Sequence, residues 1–153
     1  MTEMTSVGVD MTAVMELKEL DDFIYDIYIS GPMTGLPNFN YDAFNEVAQK
    51  IRILGLSVFN PAEVFSGRTD LDKKHYMRAD IAAVVKSKML VLLEGWETSS
   101  GAQLEVEVAK ACGIECVGVK RFYKMVGRIL KDLETNKIQP MQFKHLQEKA
   151  MRK

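Results

Sequence analysis

Two carboxylates stand where helices should be apolar. In "SGAQLEVEVAKACG", Leu104, Glu105, Val108, Ala109 and Cys112 share one stripe at helical spacing, and Glu105 interrupts it. Glu107 points elsewhere and has Lys110 three residues on as an ordinary solvated partner. In "HYMRADIAAVV", Met77, Asp80, Ile81, Val84 and Val85 follow the i, i+3, i+4, i+7, i+8 pattern, with Asp80 at one of its positions. Burying an unpaired carboxylate is costly, so each needs a partner, a cavity or a task. The plain reading is a loop cap or a pair with a cation such as Arg78. The chemical one is that a carboxylate beside a bound sugar attacks its anomeric carbon to form a glycosyl ester, while a second orients the hydroxyls or handles the proton.

The elements that must position these groups alternate. "DIYIS" reads as a strand, and Asn40 caps a helix carrying Phe44, Val47, Ala48, Ile51 and Leu54, which Gly55 stops. "LSVFNP" is a second strand. A polar loop from Glu63 to Lys74 leads to a helix over His75 to Val85, and "MLVLL" is a strand buried on both faces. The Glu105 helix follows, then the strand "IECVGV" and an amphipathic helix from about Phe122 to Leu133. This order predicts a single α/β domain: three layers, with a parallel, flavodoxin- or Rossmann-like sheet of four to five strands and helices on both faces. The expected divisions are an N-terminal extension over 1–22, the α/β domain over 23–120 and a basic helical segment over 121–153 that packs on the domain or on a neighbouring subunit. Ligands of such sheets bind at the carboxyl ends of the strands. That rule gathers three loops, "SGPMTGLPNFN", "NPAEVFSG" and "EGWETSSG", and Tyr28 is expected to reach the mouth of their cleft from the first strand.

At 153 residues the chain suffices for one core. No apolar run approaches the roughly 20 residues that span a bilayer, and the start lacks the basic and apolar regions of a secretory signal, so a cytoplasmic address is expected, with Cys112 and Cys116 reduced core thiols. The net charge of −1 hides an asymmetry. Residues 1–119 hold 10 Lys+Arg against 18 Asp+Glu, whereas 120–153 hold 10 against 3. The tail could meet a polyanion, but with few aromatics interleaved, solvation or docking on an acidic neighbour is the favoured expectation and nucleic acid the less favoured one.

"IYISGPMTG" with Tyr28, Ser30 and Gly31, "MRADIAAV" with Asp80, and "GWETSSGAQLEVEVAKACGI" with Gly101, Glu105 and Ala109 together resemble the nucleoside 2-deoxyribosyltransferase superfamily over roughly Asp26 to Val119. The pattern is similar to its short bacteriophage and bacterial members, sometimes called the DUF4406 group, and to the related 2'-deoxynucleoside 5'-phosphate N-hydrolases. The resemblance implies that Glu105 is the nucleophile at C1' of a nucleoside or nucleotide, that Asp80 contacts the sugar hydroxyls and that Tyr28 positions the nucleophile. It further implies that Ser99, with Ser30 and Gly31, surrounds a 5'-phosphate, that no metal or organic cofactor takes part, and that the chain forms a homo-oligomer, a dimer or larger, in which a neighbour completes the site. Lys88 stands where many members have an Asp, and the basic tail does not align with the C-terminal residues of the transferase branch. Water and a second base therefore both remain open as acceptor.

Around this frame, Trp96 either stacks on a base or packs over the sheet edge, and Phe39 either lines the base pocket or acts with Asn40 as a helix staple and cap. Ser99 and Ser100 satisfy a helix N-terminus that also suits a phosphate. His75 and His145 are the only histidines and form no metal cluster, and Met77 and Met89 are expected to fill the core. There is no G-x-G-x-x-G, Walker A or G-x-S-x-G motif, which argues against a dinucleotide reductase, a P-loop enzyme or an elbow-type hydrolase.

Overall fold

A computed structural model describes residues 23–67 and 71–135. The N-terminal extension and the segment around Pro140 lie outside the described residues. Four strands, β1 (Tyr25–Ser30), β2 (Val58–Phe59), β3 (Ser87–Leu92) and β4 (Glu115–Gly118), form one sheet in the order β2-β1-β3-β4. All pairings are parallel, with Ile27 opposite Val58 and Met89, and Leu90 opposite Cys116. Four helices connect and flank them: α1 (Tyr41–Ile53), α2 (Lys73–Val85), α3 (Ser100–Ala111) and α4 (Val119–Glu134). The protein is thus the expected three-layer α/β fold. No helix among the described residues is long and apolar enough to cross a membrane.

The chain leaves β1 for β2 on one side and later returns to β3 on the other. Strand order therefore reverses between β1 and β3, which opens a crevice at their carboxyl ends. The α1 helix buries the expected Phe44, Val47, Ala48 and Ile51 and ends at Gly55, whose φ of +75° suits a residue without Cβ. With α4 it covers one face of the sheet, over Ile27, Ile29, Val91 and Val117. Helices α2 and α3 cover the other, over Tyr28, Leu90 and Leu92.

Several local expectations change. β2 shrinks to two residues, and β4 gives up Val119, which is buried in the first turn of α4. α2 begins at Lys73 rather than His75. Cys112 is exposed, because the buried stripe of α3 is Ala102, Glu105, Val106 and Ala109, one step round from the Leu104 and Cys112 line, and Cys116 on β4 is half-buried. Asn40 stands at the N-cap position of α1 as expected, but its side chain makes no capping bond and donates instead to the Pro32 carbonyl oxygen at 2.9 Å. Lys88 pairs with Asp26 at 3.2 Å near the strand starts, at the end of the sheet away from the crevice.

Candidate active site

Strand alternation delivers the first two site residues. Successive side chains of β1 point to opposite faces, so Ile27 and Ile29 enter the α1/α4 core while Tyr28 and Ser30 turn toward α3. There they meet Glu105, which is 6% exposed. The Tyr28 hydroxyl donates to Glu105 Oε2 at 2.8 Å, and the Ser30 hydroxyl donates to Oε1 at 2.6 Å. Both oxygens are thereby held, and the carboxylate has one orientation. The Tyr28 ring is itself fixed by stacking on Phe59, with centroids 5.3 Å apart and planes 6° from parallel.

Electrostatics separates the two carboxyls. Burial pushes the Glu105 pKa up, and the Ser30 and Tyr28 hydroxyls, which bond best to the charged form, oppose that rise. Asp80, from α2, has no such donors among the described residues. Burial, and secondarily the Glu105 charge, raise its pKa to about 7. The Tyr28 hydroxyl is raised well above its ordinary value, chiefly by burial and then by the Glu105 charge, so it remains a donor. Both carboxyls are raised, but only Glu105 has hydroxyls that favour its charged form, and such unequal surroundings are how a nucleophile and an acid are made from one pair.

Above Glu105 lies a cleft of about 860 Å³, within the range of small-molecule sites. Gly31, Phe39, Asp80, Ser99, Gly101 and Glu105 all line it, so the structure brings these expected residues together. Gly31 is there because nothing larger fits: a Cβ would lie 2.7 Å from Leu93 Cβ, where the β1 and β3 loops pass one another. Ser99 caps α3, its hydroxyl accepting from the Ala102 amide at 3.2 Å.

Three expectations are corrected. Tyr28 and Ser30 are both fully buried and lie beneath the floor, so Tyr28 does not reach the mouth and Ser30 does not face the phosphate or sugar space. The reason is that Glu105 lies over both hydroxyls. Trp96 does not line the cleft; it packs against the α2/α3 core, the plainer of its two readings. Met77 lines the cleft as well as touching the space above Gly101, whereas Met89 does pack on the core.

Other residues of the cleft escaped the sequence reading. Lys73, Tyr76 and Asp80 lie on one face of α2 at intervals of three and four, and all line the cleft. The helical spacing carries this signal, but the polar loop expected from Glu63 to Lys74 takes in Lys73, which the structure places in the first turn of α2. Its ammonium donates to the Ser100 hydroxyl at 3.1 Å, which sets a cation at the N-terminus of α3. Across the space, Phe39 sits beside Tyr41 with ring centroids 5.8 Å apart. Phe39 is held at φ +52° between Asn38 at +49° and Asn40 at +61°, three consecutive left-handed residues without a glycine. Such backbone is costly, most of all for a bulky side chain, and persists where surrounding structure imposes it. A shallow open depression on α2, at Arg78 and Ala82, contains neither carboxylate. Among the described residues no three His, Cys, Asp or Glu side chains converge as metal ligands.

The elements from β1 to β4 are matched as a unit, since a family model described as Domain of unknown function (DUF4406) covers residues 25–118. The chain belongs to the DUF4406 family. No curated protein matches it. The DUF4406 match takes in Tyr28, Asp80 and Glu105 together with all four strands, and it stops immediately before α4.

Proposed function

We propose that this DUF4406 protein cleaves the N-glycosidic bond of a nucleoside or nucleoside 5'-monophosphate, ribo or deoxy, with Glu105 as nucleophile. The observation that carries this reading is a buried carboxylate on the floor of a ligand-sized cleft, with each oxygen held by a hydroxyl and a second, proton-retaining carboxyl from the facing helix. The resemblance to nucleoside 2-deoxyribosyltransferases points to the same chemistry.

In the first step a Glu105 oxygen forms a bond to C1' as the C1'–N bond breaks. The bonding pair departs with the base, which takes up a proton. Asp80, neutral up to about pH 7, supplies that proton or holds the sugar hydroxyls. In the second step water or another base attacks C1' and gives up a proton to the Asp80 carboxylate, and the C1'–O bond breaks to free the Glu105 carboxylate, in the manner of a retaining glycosidase. Tyr28 and Ser30 act through Glu105 as positioning residues. At the α3 end, Lys73, the Ser99 hydroxyl and the first amides of the helix suit a 5'-phosphate, which favours a nucleotide and hydrolysis. Phe39 and Tyr41 offer apolar surface to the base. The protein would work in the cytoplasm as a homo-oligomer.

The test is chromatographic detection of free base after incubation with nucleosides and 5'-monophosphates, ribo and deoxy, each with and without a second base. Base release lost in Glu105→Gln supports the proposal, and formation of a new nucleoside only in the acceptor lanes identifies a transferase. If no substrate releases base while ligands still raise the melting temperature, the cleft is a binding module and the proposal fails.

A further inference from the structure

The α4 helix distributes its residues with unusual strictness. At 100° per residue, Lys120, Arg121, Lys124, Arg128 and Lys131 fall within an arc of about 100° on its outer side, and all five are exposed. The opposite side is occupied by the protein's own core: Val119, Phe122 and Leu130 are buried, and Tyr123, Val126, Ile129 and Leu133 pack beside them. Its apolar face is therefore largely used: Met125, 54% exposed, is the one large apolar side chain of the helix left uncovered, too little to insert into a membrane or to bury a second chain. What remains free is charge.

That charge has little to answer it. Among the described residues, Lys120 pairs with Glu94 at 3.2 Å, and no carboxylate lies within ion-pair distance of Arg121, Lys124, Arg128 or Lys131. Asp132 borders the arc, and Glu134 is taken by Lys50. Residues 23–119 carry 9 Lys+Arg against 12 Asp+Glu, two of which are Asp80 and Glu105 in the cleft, so the net acidic excess a second copy brings from them is small. The other six acidic residues of the body fall in 1–22. Lys120 to Lys131 span about 16 Å of helix axis, a mean of about 4 Å between cations, of the same order as the roughly 3.4 Å per phosphate along one strand of a duplex. The sequence beyond Thr135 adds five further Lys or Arg against one Glu.

We propose that the outer face of α4 is a docking surface for the phosphodiester backbone of duplex nucleic acid, bound without regard to sequence. No aromatic side chain stands in the basic arc, because Phe122 and Tyr123 face the core, so bases have nothing to stack on and a duplex binds better than a single strand. The surface starts at the cleft rim, since Glu94, the partner of Lys120, lines the cleft. It does not depend on the glycosidic reading.

Fluorescence anisotropy with a labelled mixed-sequence duplex of about 20 base pairs tests this on the full chain. Neutralising about four phosphates implies a loss of affinity on the order of 100-fold between 50 and 200 mM salt. The variant with Arg121→Gln, Lys124→Gln, Arg128→Gln and Lys131→Gln should melt as the parent does, because these side chains are exposed, and should lose most of the binding and the salt slope. The proposal is overturned by no binding at 50 mM salt, by binding the variant retains, or by preference for the single strand. A change of oligomeric state in the variant, without duplex binding by the parent, would make a second copy the occupant and equally overturn it.

Discussion

Two faces of one sheet are covered by two helices each, yet they bury different things. Beneath α1 and α4 the sheet presents Ile27, Ile29, Val91 and Val117 to Phe44, Ile51 and Leu130. Beneath α2 and α3 the same strands present Tyr28, Leu90 and Leu92, and at their carboxyl end Ser30 and Glu105 are buried as well. The other two buried polar residues among those described have local duties: Asn60 bonds Asn45 and the Ala62 amide, and Ser87 donates to the Ala83 carbonyl. Glu105 has none. A side chain whose burial raises its pKa, fixed by two hydroxyls over a cleft, is expensive for the fold and useful to chemistry. The first face is where stability is made and the second is where it is partly given up.

The contrast breaks most sharply at Glu105. Glu105→Gln keeps shape and one acceptor for the hydroxyls but removes the nucleophile, so turnover should fall by roughly 10³-fold or more while a thermal melt shows a folded protein. An equally active variant would sink the assignment. On the opposite face, Phe44→Ala should cost about 3–5 kcal/mol of stability in denaturant unfolding and leave kcat/KM of the surviving folded protein unchanged. A selective loss of activity there would dissolve the distinction between the faces.

Ser30→Ala probes the link between the two roles. A hydrogen bond to a charged group contributes about 1.5–3 kcal/mol, so rates should drop by roughly 10- to 100-fold. Because the Ser30 hydroxyl lowers the Glu105 pKa, its loss should also move the acid limb of the rate profile to higher pH. A rate loss with no such movement would leave Ser30 a packing residue.

The smallest effect concerns Asp80. Its pKa rises from 3.8 to about 7 in the folded protein, so the neutral form is the one the fold accommodates. Its stabilising contribution is complete below the ordinary carboxylate range and is lost as pH rises through about 7. Stability should therefore decline over that window in the parent and stay flatter in Asp80→Asn. Turnover in the parent should fall above about pH 7 as the proton is lost, and a descending limb that persists in Asp80→Asn belongs to another group.

Much of this was legible in the chain. Alternating periods of 2 and 3.6 set strands and helices in βα order, and the carboxyl-end rule then gathered the loops that carry Gly31 and Ser99 with the helices that carry Asp80 and Glu105. Glu105 was conspicuous even though its stripe was read one step out of register, because either stripe contains it. What periodicity could not give was contact. That Ser30 and Tyr28 lie under Glu105 rather than beside a ligand depends on which face of β1 meets α3, a distance of 75 to 77 residues along the chain. Lys73 came to the cleft only because α2 starts two residues early, and helix starts rest on local capping that the sequence encodes weakly. The gathering of five cations on one arc of α4 was written in the sequence. That its other face was already spent on the protein's own core was decided by packing alone, since burial is a property of neighbours rather than of a residue.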